Sequence, residues 1–338
     1  MASAIFTRQE LATLATLRAR FLDGSNAGGG YWKSEAELAL YDASFGERIG
    51  WKWDAVLAEL HARGWRPSVK NIVDWGCGSG IAGRRVLAAW EGFASLTVTD
   101  VSPLAMRFAD GKARENFPAL HVRSKSDATD AAAGSLLLVS HVLNETDDAT
   151  AQRLIAAARR ADEIIWVEAG THADSRRIIA VREKLLGDFD IIAPCTHAAR
   201  CGMLVPENAA HWCHHFARVP SEASRDARWS QFGRELGIDM RSLPYSFLVL
   251  ARRRAGGDFH PSVRGFSRII GRPRDEKGHI EVLSCSEAGV EELTAQKRDV
   301  PDLCKQLRKG RADPMQRWAR AGRHITGATA GGNAEPQP

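Results

Sequence analysis

Several things are missing from this 338-residue chain, and each absence narrows what it can be. No apolar run approaches the ~20 residues that a membrane-spanning helix needs; Ser135-Leu-Leu-Leu-Val139 is the size of a buried strand. No apolar signal region opens the chain, and Glu10, in a Thr7-x-x-Glu10 capping box, argues against a transit peptide. A cytoplasmic location, without membrane association, is therefore expected. Internal repeats are absent, as is the C-x2-C knuckle of ordinary zinc ribbons. Aromatic residues are sparse in the basic C-terminal third, which disfavours a face built mainly for base stacking.

What is present begins with Asn71-Ile-Val-Asp-Trp-Gly-Cys-Gly-Ser-Gly-Ile-Ala-Gly83, which reads as a strand, an acid and a glycine-rich turn feeding a helix. Glycines 76, 78 and 80 let the backbone turn tightly and approach a ligand, because no Cβ intervenes. The helix start behind them offers amides to an anion. A second strand, Leu96-Thr-Val-Thr, ends on Asp100, twenty residues after Gly80 and placed to meet ribose hydroxyls. A dinucleotide site would want G-x-G-x-x-G; this chain has Asp74-x-Gly76-x-Gly78-x-Gly80. That pattern resembles motif I of class I S-adenosylmethionine-dependent methyltransferases, and the resemblance implies cofactor contacts from Asp74, Gly76, Gly78, Gly80, Asp100 and Ser140.

Strands alternating with helices predict an α/β fold with a doubly wound parallel sheet. Residues 1–66 read as an N-terminal helical region, with Leu11, Leu14, Leu17 and Phe21 along one helix face and Gly64 ending a second helix. Residues 67–255 read as the methyltransferase-like domain, carrying a cysteine-rich insertion at 189–216 and a late strand, Tyr245 to Ala251. Residues 256–325 read as a small β-rich basic appendage with a helix near 301–309, and the Gly/Ala/Pro-rich stretch 326–338 as a disordered tail. A monomer is expected.

Six cysteines are unevenly spread. Cys77, in the glycine loop, and Cys304, on the basic helix, read as structural. Cys195, Cys201 and Cys213 fall within nineteen residues, and Cys285 lies in the appendage. In a reducing compartment such clustering points to metal ligation before disulfides. Four thiolates suit an iron–sulfur cluster or tetrahedral zinc, and His197, His214 and His215 keep a Cys3His zinc site open.

Several blocks now combine: the glycine loop, Ser140-His-Val-Leu-Asn-Glu145, Glu168-Ala-Gly-Thr171, the Pro-Cys-x-His…Cys…Trp-Cys-His block and Tyr245-Ser-Phe-Leu-Val-Leu. Together they resemble the methyltransferase-like family associated with the mitochondrial small ribosomal subunit, which also has bacterial members. The resemblance covers roughly residues 35–310. It implies binding to small-subunit ribosomal RNA during assembly and a four-iron, four-sulfur (4Fe-4S) cluster. The implied ligands are Cys195, Cys201, Cys213 and Cys285, with Cys304 a competitor for the fourth place. Two departures stand out: Cys201-Gly202 where the family has Cys-Pro, and Gly310-Arg-Ala-Asp-Pro314 where an aromatic and acidic ending is usual.

Methyl transfer needs an aligned acceptor and commonly a base. The Asn/Asp-Pro-Pro-Tyr signature of amino-group methyltransferases is replaced here by Ser140 to Glu145, so the candidate catalytic residues are His141, Asn144 and Glu145. Cys195 could serve as a nucleophile for carbon-5 methylation only if it were not a metal ligand. Glu168 reads as a site residue or a cap for the next helix. The alternative function is an active small-molecule or protein methyltransferase with a structural zinc site.

Charge separates the two ends. Residues 1–240 hold 28 Lys and Arg against 30 Asp and Glu; residues 241–338 hold 18 against 11. The basic C-terminal region, from Arg252, Arg253 and Arg254 through Arg264, Arg268, Arg272, Arg274, Lys277, Lys297 and Arg298 to Lys305, Arg308, Lys309 and Arg311, is the expected partner surface for ribosomal RNA.

Overall fold

The computed structural model describes residues 5–23, 32–253 and 263–331. In chain order the elements are α1 (Arg8–Asp23), α2 (Glu35–Tyr41), α3 (Glu47–Ala62), β1 (Asn71–Trp75), α4 (Ile81–Ala89), β2 (Ser95–Thr99), α5 (Pro103–Asn116), β3 (His121–Ser124), β4 (Leu136–Ser140), α6 (Asp148–Arg160) and β5 (Glu163–Ala169). There follow α7 (His172–Leu185), β6 (Phe189–Ala193), β7 (His215–Ala217), α8 (Ser221–Arg225), α9 (Ala227–Leu236) and β8 (Leu243–Arg252). The last are β9 (Ser267–Asp275), β10 (His279–Ser286), β11 (Gly289–Gln296), α10 (Pro301–Arg308), β12 (Met315–Ala321) and β13 (His324–Ala330). Two compact units result: residues 1–59, 66–169 and 217–245 form one, and residues 60–65, 170–216 and 246–338 the other.

In the first unit, β3-β2-β1-β4-β5 lie in that order and all pair in parallel. Leu136 to Val139 of β4 are completely buried, as expected of a parallel strand covered on both faces. Strand order reverses between β1 and β4, so the loops leaving those two strands flank the crevice where such sheets bind ligands. The capping box is made as expected: the Thr7 amide donates to Glu10 Oε2 at 2.7 Å, and the Glu10 amide to Thr7 Oγ1 at 3.2 Å. Leu14 and Leu17 are buried, and Gly64, with φ of 68°, follows α3.

In the second unit, β6 runs antiparallel to β8. The cysteine-rich segment therefore starts later than 189: residues 189–193 are sheet, and the loop proper follows Ala193. Strands β9 to β13 close a barrel in the order β10-β11-β13-β12-β9, with β11 and β13 parallel and the other pairs antiparallel. With α10 inserted between the third and fourth strands, this is an OB-type barrel. Ile280, Val282, Leu293, Ala295 and Ile325 fill it, and Cys304 and Leu307 of α10 join them. The boundary at 326 is corrected: β13 runs through Ala330, its alternating Ile and Thr with Ala and Gly pairing along β12. Residues 332–338 lie outside the described residues.

Candidate functional site

Gly76, Gly78 and Gly80 all have positive φ (65°, 52° and 77°). A Cβ on Gly76 would come within 2.7 Å of Val142, and one on Gly80 within 2.8 Å of Ala109, whereas Gly78 has nothing within 4 Å. Two glycines are thus needed for packing, and the third leaves an open cradle. Gly80, at the N-cap of α4, offers no side-chain hydrogen bond, and the one first-turn amide with a side-chain acceptor shown is that of Gly83. Asp100 draws the loop to β2: its Oδ2 accepts from the Gly78 amide at 2.9 Å and its Oδ1 from Ser102 at 2.8 Å. Each oxygen retains a second lone pair for a hydroxyl. Asp74 is completely buried; its Oδ2 accepts from the Gly83 amide at 3.2 Å, while Oδ1 has no partner. Burial pushes its carboxyl up to about 7, with the nearby Asp100 adding to the rise.

The loop after β4 holds the candidate catalytic residues. His141 carries a φ of 57°, a conformation rare outside glycine and often found where a site stores strain. Its Nε2 lies 3.1 Å from Lys52 Nζ and its Nδ1 3.5 Å from Ser140 Oγ. Burial, and then the Lys52 charge, hold the imidazole well below its ordinary range. The ring is therefore neutral and accepts from the ammonium. Ser140 Oγ accepts from the Trp53 indole at 2.9 Å. Asn144 and Glu145 sit exposed on the following turn. The structure thus brings His141 and Ser140 together and leaves Asn144 and Glu145 at the surface. Sequence reasoning missed Lys52 and Trp53; both come from α3, far from any motif.

Glu168 is not the cap of α7. That role belongs to Thr171, whose side chain accepts from the Asp174 amide. The buried Glu168 Oε1 instead accepts from the amides of Val142 and Leu143, both at 3.2 Å, and from the Trp166 indole at 2.7 Å. It ties the loop after β4 to β5.

All four clustered cysteines belong to the second unit. Cys201 packs with Ile179, Met203 and Ile270, and Cys213 and Cys285 lie against the same cluster. Burial pushes the Cys285 thiol well up, with further contributions from Cys195, Cys213 and Cys201. Cys213 is raised by the same causes, burial first and then Cys195 and Cys201, and Cys201 is raised to about 11. Cys201, Cys213 and Cys285 thus share one apolar cluster, and the Arg182 guanidinium reaches the Cys195 side chain and Cys201. Cys304 packs in the barrel core instead and its thiol points to the Ala295 carbonyl, which separates it from the set. Cys285 Sγ lies 3.5 Å from His197 Nε2, and Cys213 Sγ 3.8 Å from His215 Nε2. Among the described residues, no group of three or more His, Cys, Asp or Glu side chains is arranged to hold a metal ion.

Hydrogen bonds hold the loop in place as well. Arginines do much of that work. Arg176 donates to the carbonyls of Met203, Asn208 (2.7 Å), Ala209 (3.2 Å) and His211 (2.9 Å). Arg182, only 3% exposed, donates to His197 and Ala199 carbonyls at 3.2 and 2.8 Å. Arg63 holds the Ile192 and Pro194 carbonyls at 2.7 and 3.1 Å. Gly202 explains a departure noted in the sequence: a Cβ there would meet the Val290 amide at 2.7 Å and the Gly289 backbone at 3.0 Å. The Cys201 loop therefore lies directly on the β10–β11 turn, next to Cys285.

The basic C-terminal region is less uniform than expected. Arg268 is buried, 3.4 Å from His215 Nδ1 and over the Phe247 ring, so its charge is used inside the fold. Arg274 is paired to Glu281 and Glu292 at 2.7 and 2.6 Å, and Lys297 to Asp275 at 2.6 Å. Arg254 lies outside the described residues. No helix among the described residues is long and apolar enough to cross a membrane.

Comparisons with known proteins add a family. A family model described as mitochondrial small ribosomal subunit Rsm22 matches residues 52–318. No curated protein matches the chain. Among solved structures, the chain is similar to magnesium protoporphyrin IX methyltransferase from Synechocystis PCC 6803 with bound SAM (15% identity, TM-score 0.37, covering 74% of this chain and 100% of that one). It is also similar to the [4+2]-cyclase SpnF (16% identity, TM-score 0.37, 75% and 98% covered) and to the methyltransferase domain of a bacterial Hen1 (12% identity, TM-score 0.36, 60% and 99% covered).

Proposed function

This chain belongs to the Rsm22 family of the mitochondrial small ribosomal subunit, and from that membership we propose a protein that binds S-adenosylmethionine and a 4Fe-4S cluster and acts on or at small-subunit ribosomal RNA. It works with its ribosome in the cytoplasmic compartment. The observation that carries the reading is the gathering of Cys195, Cys201, Cys213 and Cys285 from a loop and a barrel strand. The thiols of Cys201, Cys213 and Cys285 are raised by burial and by their neighbours, and a metal centre that binds them as thiolates removes that cost. These four residues would hold the cluster, which when bound supplies a cross-link between the loop and β10. Arg182 stands beside the set, its guanidinium facing Cys195 and Cys201 and offsetting thiolate charge.

S-adenosylmethionine fits the first unit. The open face of Gly78 admits a ligand against backbone, the Asp74 oxygen without a partner suits an ammonium or its bridging water, and Asp100 suits ribose hydroxyls. When bound, the cofactor supplies an electrophilic methyl group. The chain's own contribution is to orient it and, at His141, to keep a neutral imidazole at the end of β4.

A second reading, an assembly role without methyl transfer, is favoured by one observation. His141 Nε2 already receives a hydrogen bond from Lys52, and Asn144 and Glu145 are turned to the surface.

Anaerobic purification tests the cluster. Protein with an absorbance shoulder near ~400 nm and matching iron and sulfide is expected. Cys195→Ser, Cys201→Ser, Cys213→Ser and Cys285→Ser should each bleach it, and Cys77→Ser and Cys304→Ser should not. Colourless, zinc-loaded protein would replace the cluster with the zinc alternative. Crosslinking in cells, followed by mapping of methylation at the bound RNA, separates the catalytic from the assembly role.

A further inference from the structure

The barrel's charge is divided between two walls. Residues 279–296, which form β10 and β11, contain four acids (Glu281, Glu287, Glu291, Glu292) and no Lys or Arg. Residues 311–330, which lead into and form β12 and β13, contain four Arg against one Asp. From Pro314 to Gly331 there is no carboxylate at all. In OB-type barrels the face around strands two and three commonly receives oligonucleotides. Here those strands are the acidic ones, and the arginines of β9 and β12 that reach them are already engaged: Arg274 by Glu281 and Glu292, Arg320 by Glu291 at 2.7 Å.

The other wall has the reverse character. Trp318 of β12 and Ile325 of β13 pack into the barrel core with Cys304 and Leu307 of α10, but the helix itself lies against β9, β10 and β11, so the β12–β13 hairpin is a wall of its own. Arg317 and Arg323 are exposed on it, and Arg311 on the segment leading into it. Arg317 is held in place over the Phe266 ring and by a 3.2 Å hydrogen bond to the Arg264 carbonyl. Between these cations the outward residues of the hairpin, Ala319, Ala321, Thr326, Ala328 and Thr329, are short. A sugar–phosphate backbone can therefore approach closely. The Trp318 indole is tied to Ser284 Oγ at 2.9 Å, which leaves phosphate contact, and not base stacking, as the means of holding a strand.

We propose that single-stranded RNA runs along the β12–β13 wall, held by phosphate contacts from Arg311, Arg317 and Arg323, and is excluded from the acidic β10–β11 wall. This rests on the ribosomal RNA reading and gives it a location.

The test uses full-length, cluster-loaded protein and a fluorescent single-stranded RNA of about 16 nucleotides, the upper site size of one such barrel. Anisotropy titrations over a range of salt give both affinity and its salt slope. Arg311→Gln/Arg317→Gln/Arg323→Gln changes only exposed groups, and an unchanged melting temperature verifies that the fold is kept. It should weaken binding at least about tenfold and flatten the slope by about 2, for three lost contacts at roughly 0.7 each. Wild-type binding that the triple variant retains in full would overturn the location alone. So would a loss seen with Arg274→Gln and not with the triple variant, since it would put the strand on the acidic wall. Wild-type protein that binds no RNA would overturn this proposal and the ribosomal RNA reading together.

Discussion

Lys52 Nζ lies 3.1 Å from Nε2 of His141, so an ammonium from a helix donates to an imidazole whose own backbone is held at a φ of 57°. The two groups cannot both be cationic at that distance in a buried setting. Burial and Lys52 together keep the histidine neutral.

The sign of the resulting pH effect follows. Because the folded pKa of His141 is depressed, the unfolded chain binds the extra proton first. The stability linked to this residue is complete above the unfolded value of about 6.5 and is lost as pH falls below it. His141→Gln should flatten the acid limb of a denaturation-midpoint profile below that pH. Lys52→Met should raise the histidine's titration, read by NMR of the ring protons, and an unmoved titration would contradict the pairing.

Asp74 gives the opposite limb. Its folded carboxyl is raised to about 7, so the stability it contributes is present below the unfolded value of about 3.9 and lost as pH rises through about 7. Asp74→Asn should remove that slope. If a cationic ligand favours the ionised form, affinity for S-adenosylmethionine in the wild type should climb until about pH 7 and be flat in the variant, as calorimetry would show.

The three loop glycines should not be equivalent. Gly78→Ala meets only the strain of φ 52°, roughly 1 kcal/mol, and open space. Gly76→Ala and Gly80→Ala add contacts of 2.7 and 2.8 Å to comparable strain. Urea denaturation should find both of the latter clearly less stable. Cofactor binding should instead suffer at Gly78→Ala even where the fold survives.

Glu168→Ala strips one buried acceptor from two amides and an indole. Unsatisfied buried donors cost about 1–3 kcal/mol each in typical cases, so leaving three bare should cost roughly 3 kcal/mol or more. Hydrogen exchange should locate the loosening at Val142 and Leu143.

Gly202→Pro would restore the residue usual beside the second cysteine, yet here it should weaken the protein. The added atoms would strike the Val290 amide and the Gly289 backbone, lifting Cys201 from the β10–β11 turn. Iron content per chain should fall, while the cysteine count is unchanged.

The parts legible in the sequence were local ones. Gly76, Gly78 and Gly80 announced themselves because their backbone conformation excludes other residues, and Thr7 with Glu10 because a capping box is complete within four positions. Leu136 to Val139 read as a strand because burial on both faces demands an unbroken apolar run. Long-range partners left no such trace. An arginine reads as surface charge whether it is exposed like Arg323 or buried against His215 like Arg268, and nothing near Arg176 or Arg182 hints at the carbonyls they collect. Strand β13 was hidden by its own composition: Gly and Ala favour strands weakly, and only pairing with β12 gives them that shape.

The order in which these segments emerge during synthesis carries a final consequence. The first unit has all its residues once Tyr245 is made, whereas the second draws on 60–65 and 170–216 and then waits for the chain beyond Ser246. Because domains tend to fold as they leave the ribosome, the segment with Cys195, Cys201 and Cys213 is exported before the strand bearing Cys285 exists. A nascent chain halted in that interval would display three thiols to solvent, a window in which oxidation or wrong pairing competes with maturation.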